Sequence, residues 1–147
     1  MYIEASRPRR ENHIAKLVTP NLRQGSYCVR FAYNMFGAHI GNIKVFTLDS
    51  KPSPTLRWKK SGNQGITWHQ VSLQVSSSTT FQVMFQGQIG GGYSGDAAID
   101  DVSIEPGSCS KTTTNVVTTS TTAPPTTTTV STNSKRELLY TKFSCKI

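Results

Sequence analysis

Charge is scarce in this sequence: 16% of its 147 residues are charged, against roughly a quarter in an ordinary soluble domain. No apolar run approaches the ~20 residues of a helical membrane span. Residues 1–10 carry three arginines and no apolar stretch, so the chain as it stands is expected to encode neither a span nor a secretion signal. Hydrophobic residues amount to 35%, which at this length is expected to fill one core and not two. Catalytic signatures are missing too. His13, His39 and His69 are scattered, and no Gly-x-Ser-x-Gly, HExxH or P-loop pattern occurs, so no enzyme activity is expected. Three cysteines without a CxxC spacing exclude the usual zinc sites.

What charge there is leans positive. Residues 1–109 hold 11 basic and 7 acidic residues and residues 110–147 hold 5 and 1, so each part carries half of the net +8. Neither part is dense in charge. Arg7, Arg9 and Arg10, and Arg57, Lys59 and Lys60, read as solvated faces in preference to a nucleic-acid surface, and no specific nucleic-acid partner is expected.

Composition changes at Cys109. Residues 111–132 contain twelve Thr, two Ser and the pair Pro124-Pro125, with Val116, Val117 and Val130 as the only large apolar side chains. So little apolar area cannot offset the ~1–2 kcal/mol per residue of backbone ordering. Ser/Thr-rich sequence with Pro is the composition of O-glycosylated stalks. The expected organisation is a domain over 1–109, a disordered Thr-rich linker over 110–134, and a short basic tail over 135–147.

Within the first part the hydrophobic period is two. Tyr27, Val29, Phe31, Tyr33 and Met35 alternate with Cys28, Arg30, Ala32 and Asn34, as in a strand with one buried face. Residues 42–48, 56–59, 67–75, 81–89 and 97–104 read as further strands. Turn signals separate them, among them Gly37, Gly41, Pro52, Pro54, Gly62-Asn63 and Gly90-Gly91-Gly92. Short, punctuated strands without a helix-period stretch predict an all-β fold, a sandwich of two antiparallel sheets. In such a core Trp58 and Trp68 are expected to be packing residues.

Cys28 opens this region and Cys109 closes it. A bond between them would close a loop of about 80 residues, worth on the order of 4 kcal/mol in the chain-entropy account; two buried free thiols are the other reading. A bond implies an oxidising compartment, in accord with the stalk composition. Cys145 has no evident partner in the sequence.

The series Tyr27-Cys28-Val29-Arg30-Phe31-Ala32-Tyr33-Asn34-Met35-Phe36-Gly37, then Gly41-Asn42-Ile43-Lys44-Val45, then Trp58, Gly62-Asn63-Gln64-Gly65 and Trp68, resembles the MAM domain family (meprin, A5 antigen, receptor protein tyrosine phosphatase mu). So does Gly95-Asp96-Ala97-Ala98-Ile99-Asp100-Asp101-Val102, closing at Cys109. The opening residues 1–6 and the stretch 15–20 are similar to the family's central portion. The resemblance implies a jelly-roll-like sandwich, extracellular or cell-surface placement, and adhesion or recognition between proteins. It also implies that Cys28 and Cys109 are the family's later disulfide pair. The family pattern begins earlier, with an acidic, cysteine-containing segment. The chain is therefore expected to lack at least one strand and the first cysteine pair, which would leave a sheet edge unpaired.

Asp96, Asp100 and Asp101 lie beside the glycine-rich turn. Ca²⁺ takes six to eight oxygen ligands, and carboxylates at a loop-to-strand junction supply some. Alternation sends Asp100 and Asp101 to opposite faces, so they cannot flank one glycosidic bond as a catalytic pair. It also puts Asp100 on the face of Ala98, Val102 and Ile104, where an inward carboxylate needs a cation or several hydrogen bonds. Two readings follow: a structural calcium ion held with Asp96, which the resemblance also suggests, or a carboxylate that braces the backbone without metal.

The function expected is a non-catalytic extracellular recognition module, part of a larger secreted or membrane-anchored protein. Its partners would be extracellular proteins, including other copies of itself, and it would reach a membrane only through parts of the parent protein beyond this chain. The alternative is a glycan-binding jelly roll in which exposed aromatics such as Tyr93 and Trp68 stack on sugar rings.

Overall fold

The computed structural model describes residues 2–3 and 10–110. The linker beyond Ser110, the basic tail and Cys145 lie outside the described residues. Every regular element among the described residues is a strand: β1 (Tyr2–Ile3), β2 (Ile14–Val18), β3 (Gly25–Phe36), β4 (Asn42–Leu48), β5 (Thr55–Ser61), β6 (Gly65–Ser77), β7 (Gln82–Gln88) and β8 (Asp96–Pro106). They form two four-stranded sheets, ordered β1-β8-β3-β6 and β2-β7-β4-β5, and the neighbours pair antiparallel throughout. The chain crosses between sheets at every connection except β4 to β5. That interleaved order of eight strands is the jelly roll.

Period-two patterning explains why the sheets face each other. Val29, Phe31 and Met35 of β3, Val75 of β6 and Ile99 of β8 point inward from the first sheet. Val45 of β4 and Val83 and Phe85 of β7 meet them from the second, and all of these are 2% exposed or less. Phe31 sits at the centre, edge-to-face with Phe85 at 5.3 Å and with Trp58 at 5.2 Å. Trp58 is thus the packing residue its sequence context predicts, and such aromatic pairs add to the area they bury.

The six strands expected from alternation are all present, and β1 and β2 are additional to them. In β2, Ile14, Lys16 and Val18 face out while Ala15 and Leu17 face the core, so apolar residues lie on both faces and the period is hidden. β1 pairs with β8 only at Ala97 and Ala98. From Asp100 onward, no described strand runs along that flank of β8.

Loops after β3, β5 and β7 gather at one end. His39 N–H donates to Ser94 O at 2.7 Å and Gly62 N–H to Gly41 O at 3.0 Å. Backbones touch where β3 leaves the sheet and β8 enters it. Gly37 (φ +133°) and Gly95 (φ +144°) lie against each other, and a Cβ on Gly37 would come within 2.9 Å of Ser94 O. Only glycine serves at such a contact.

At the opposite end a strap closes the fold. After β8 the chain turns across the outer face of the first sheet, where Cys109 bonds Cys28 (Sγ–Sγ 2.04 Å, Cα–Cα 4.9 Å, 81 residues apart). Gln74 of β6 accepts from Cys109 N–H at 2.8 Å. Its Nε2 has Ser26 Oγ, Tyr27 O and Gly107 O at 2.7, 3.0 and 3.1 Å, three acceptors for two protons.

Phe31→Ala is expected to lower unfolding free energy by about 3–5 kcal/mol in a urea titration. Replacing both Cys28 and Cys109 by Ala is expected to lower it by about 2–5 kcal/mol; a double variant with unchanged stability would show that the bond adds nothing to the non-covalent strap.

Candidate interaction surface

β8 carries the acidic residues singled out by the sequence, and its register decides what they do. Ala32 of β3 pairs with Asp100, but Arg30 pairs with Ser103, so Asp101 and Val102 together oppose Phe31. This is a β-bulge, and Asp101 adopts φ +49° within it. One extra residue inverts the alternation. Ala97 and Ile99 point inward before the bulge, whereas Val102 and Ile104 pack on the core after it.

The expectation that Asp100 shares the inward face with Val102 and Ile104 is therefore corrected: Asp100 is exposed, as are Asp96 and Asp101. The Asp100 carboxylate accepts the Asp101 backbone N–H at 2.9 Å, which holds the bulge by the same local bond that favours Asp in turns. Asp96 and Asp100 stand four residues apart on one strand, roughly 13 Å at ~3.3 Å per residue, too far to share a cation. Among the described residues no group of three or more His, Cys, Asp or Glu is close enough to hold a metal ion, so these donors alone do not fit the six to eight oxygens of Ca²⁺.

A second bulge lies beside Trp68. Tyr33 pairs with His69 and Met35 with Gly65, leaving Ile66, Thr67 and Trp68 opposite Asn34 alone. Asn34 Nδ2 fills the gap, within 2.8 Å of Ile66 O and 3.1 Å of Thr67 O. His69, stacked on Tyr33 at 5.1 Å, and then Val71, Leu73 and Val75 face the core. Trp68 consequently faces out and is 51% exposed; the expectation that it packs in the core is corrected. The sequence period carries this: Val71, Leu73 and Val75 alternate with Gln70, Ser72 and Gln74, and Trp68 falls in the polar set, so the core expectation follows the residue type and not the register.

Next to Trp68 on this outer face are Ile66 and Phe36, also largely exposed. Phe36 pairs with Asp96, where the loop over residues 89–95 delivers the chain to β8. Tyr93, in that loop and 80% exposed, lies 6.2 Å from the His39 ring. One end of the first sheet thus presents three large apolar side chains, with a largely exposed tyrosine on the neighbouring loop. Isolated exposed hydrophobics are ordinary, but adjacent ones mark contact surfaces. The three histidines do not assemble: His13 lies by Arg10, His39 by Tyr93, and His69 under Tyr33.

Comparison with known proteins bears on this arrangement. The family described as MAM domain, meprin/A5/mu, matches residues 1–110. MAM domain-containing glycosylphosphatidylinositol anchor protein 1 of Homo sapiens is 44% identical over 115 residues, 76% of this chain and 12% of that protein. The protein 2 counterpart of Mus musculus is 40% identical over 124 residues, covering 76% and 13%. The chain therefore spans about an eighth of the length of these relatives. A solved chain described as "CBM4 structure and function" overlaps 72% of this chain and 81% of its own length at 12% identity and a TM-score of 0.49, a likeness too slight to bear on ligands.

Asp101→Val is expected to cost about 1–2 kcal/mol in thermal or urea unfolding because a β-branched residue is forced into positive φ, while Asp101→Gly is expected to stay within about 1 kcal/mol of the parent. Equal losses in both would mean that the Asp101 side chain, and not its backbone, stabilises the bulge.

Proposed function

Since this chain belongs to the MAM domain family, we propose that it is a non-catalytic extracellular recognition module, part of a larger surface-anchored or secreted protein, that binds other proteins through the outer face of its first sheet. The observation that carries this reading is the adjoining exposure of Phe36, Ile66 and Trp68 on a rigid, disulfide-tied sandwich. Preformed apolar side chains on rigid strands lose little entropy on binding, and tryptophan is the residue most often dominant in such contacts. Placement outside the cytosol is supported by the Cys28–Cys109 bond and by the anchor proteins named among its relatives. Partners are extracellular proteins, copies of the same chain included.

A glycan-binding reading has its own observation, the solvated rings of Tyr93 and Trp68, since sugar rings stack on exposed aromatics. A structural calcium ion belongs to the proposal with Asp96 or Asp100 supplying one carboxylate ligand and the remaining oxygens coming from backbone carbonyls, side-chain amides or groups beyond the described residues. Calcium at millimolar concentration would then raise the thermal midpoint, and either Asp96→Asn or Asp100→Asn, but not both, would abolish the rise.

The test is binding of the chain, clustered on beads, to cells treated with protease or with glycosidases. Protein recognition predicts that protease removes binding, that glycosidases do not, and that Trp68→Ser with Ile66→Ser weakens it by at least about tenfold, some 1.4 kcal/mol. Loss after glycosidase treatment together with loss in Tyr93→Ala would replace the protein reading with the glycan one.

A further inference from the structure

The outer face of the second sheet has an ordered composition that the fold does not require. Its strand order is β2-β7-β4-β5, and the inward residues are known from the core: Leu17, Val83, Phe85, Ile43, Val45 and Trp58. Their strand neighbours lie on the outer face and fall into rungs, in which the β7 members Gln86 and Met84 are themselves buried, at 9% and 5% exposure. Lys16 pairs with Gln86, Gln86 with Lys44, and Lys44 with Lys59. One rung of four strands therefore carries three lysines. In the next rung Val18 pairs with Met84, Met84 with Phe46, and Phe46 with Leu56, the last pairing set by the bulge that skips Arg57.

The lysine rung is costly as it stands. Lys44 and Lys59 are direct cross-strand neighbours, with Cβ atoms about 5 Å apart, an arrangement of like charges that destabilises a sheet. Lys16 lies two strands from Lys44, about 10 Å away. No acidic residue occupies either rung. The two ion pairs among the described residues, Arg30–Glu105 and Lys51–Asp49, involve none of the three. Guarding of sheet edges accounts for Lys16 on β2 and Lys59 on β5, since charged edge residues prevent strand addition. It does not account for Lys44, which is on an inner strand. Nor does it account for the apolar rung beside it, where Val18 and Leu56 on the two edge strands are 39% and 50% exposed and flank the buried Met84 and the half-buried Phe46.

We infer that this face is a second docking surface, for a protein that presents carboxylates beside an apolar strip. Charge complementarity selects an anionic occupant, because three unpaired ammonium groups within about 15 Å attract carboxylates at close range even at physiological salt, where the screening length is about 8 Å. The apolar rung decides between anionic classes. A sulfated polysaccharide answers the lysines and leaves Val18, Phe46 and Leu56 wet, whereas a protein surface covers both rungs in the way interfaces combine an apolar centre with charged flanks. The surface lies on the sheet opposite Trp68 and Ile66, so it is independent of the contact proposed above, and one chain could hold two partners at once.

The test uses the 147-residue chain on a biosensor with three soluble probes: a random glutamate-tyrosine copolymer, poly-glutamate of equal length, and heparin. The copolymer is expected to bind at least about tenfold more tightly than poly-glutamate and to lose less affinity between 50 and 300 mM salt, since its apolar part is not screened. Lys44→Glu with Lys59→Glu should remove binding of the copolymer, and Leu56→Ser should reduce it to the poly-glutamate level. Trp68→Ser should leave it unchanged, which separates failure of this inference from failure of the first-sheet contact. A thermal midpoint within a few degrees of the parent certifies each variant as folded; where one is not, Lys16→Ala replaces the lysine reversals and Val18→Ser replaces Leu56→Ser. Heparin binding tighter than the copolymer, or copolymer binding that survives the lysine reversals, would overturn the inference. So would sedimentation showing that the chain dimerises and that the lysine reversals abolish the dimer, because the occupant would then be a second copy.

Discussion

Every inward residue of this sandwich depends on one geometric constraint: a strand alternates its side chains, so burying one set exposes the other. Phe31 is central because β3 is flanked on both sides, by β8 and β6, and because Phe85 and Trp58 close on its ring from the facing sheet. Packing at that point fixes the sense of β3. Hydrogen-bonded register then passes the same sense to β6 and β8, while β7 and β4 transmit it through the other layer. The outer faces are consequences of the inner one. Trp68 and Ile66 are outside because His69 and Val71 are inside, and the lysine rung is outside because Val45 and Trp58 are inside.

Bulges are where this constraint is deliberately shifted by a residue. Those on β6 and β5 lie beside elements proposed to matter for recognition, the exposed tryptophan and the pairing of Leu56 with Phe46, and the one on β8 turns Asp100 to solvent. Each lets a strand keep its core contacts on both sides of the irregularity while changing which residues reach solvent. Local hydrogen bonds stabilise two of them, from Asp100 to the Asp101 amide and from Asn34 to the carbonyls of Ile66 and Thr67.

That is also why part of the structure was legible in the sequence and part was not. β3, β4 and β7 announce themselves because one face is apolar and the other is not, and Cys28 and Cys109 bracket them at a separation that makes a bond worthwhile. The resemblance to MAM domains named the topology, and the observed strand order bears out the jelly roll. Asp100 and Trp68 differ from expectation for separate reasons: a period of two carried unbroken past the β8 bulge turns Asp100 inward, whereas Trp68 already shares the polar set of Gln70, Ser72 and Gln74 and only the size of its indole argues for the core. A bulge leaves little trace in composition, since Asp101 and Asn34 are ordinary in loops and strands alike. β2 is not legible because it is apolar on both faces, and its outer residues gain meaning only beside Met84 and Gln86, far away in sequence.

The strap at Cys109 has a mechanical corollary. Ser110 leaves the domain from the pole opposite the clustered turns, so a pull applied through the following chain meets the sulfur link before it reaches the β8 ladder. Tension is passed across two covalent atoms into β3, a strand held on both flanks, and β8 is spared from unzipping one rung at a time. A module tethered in this way would bear load in shear and keep its distal turns in shape under traction, until the thiols were reduced.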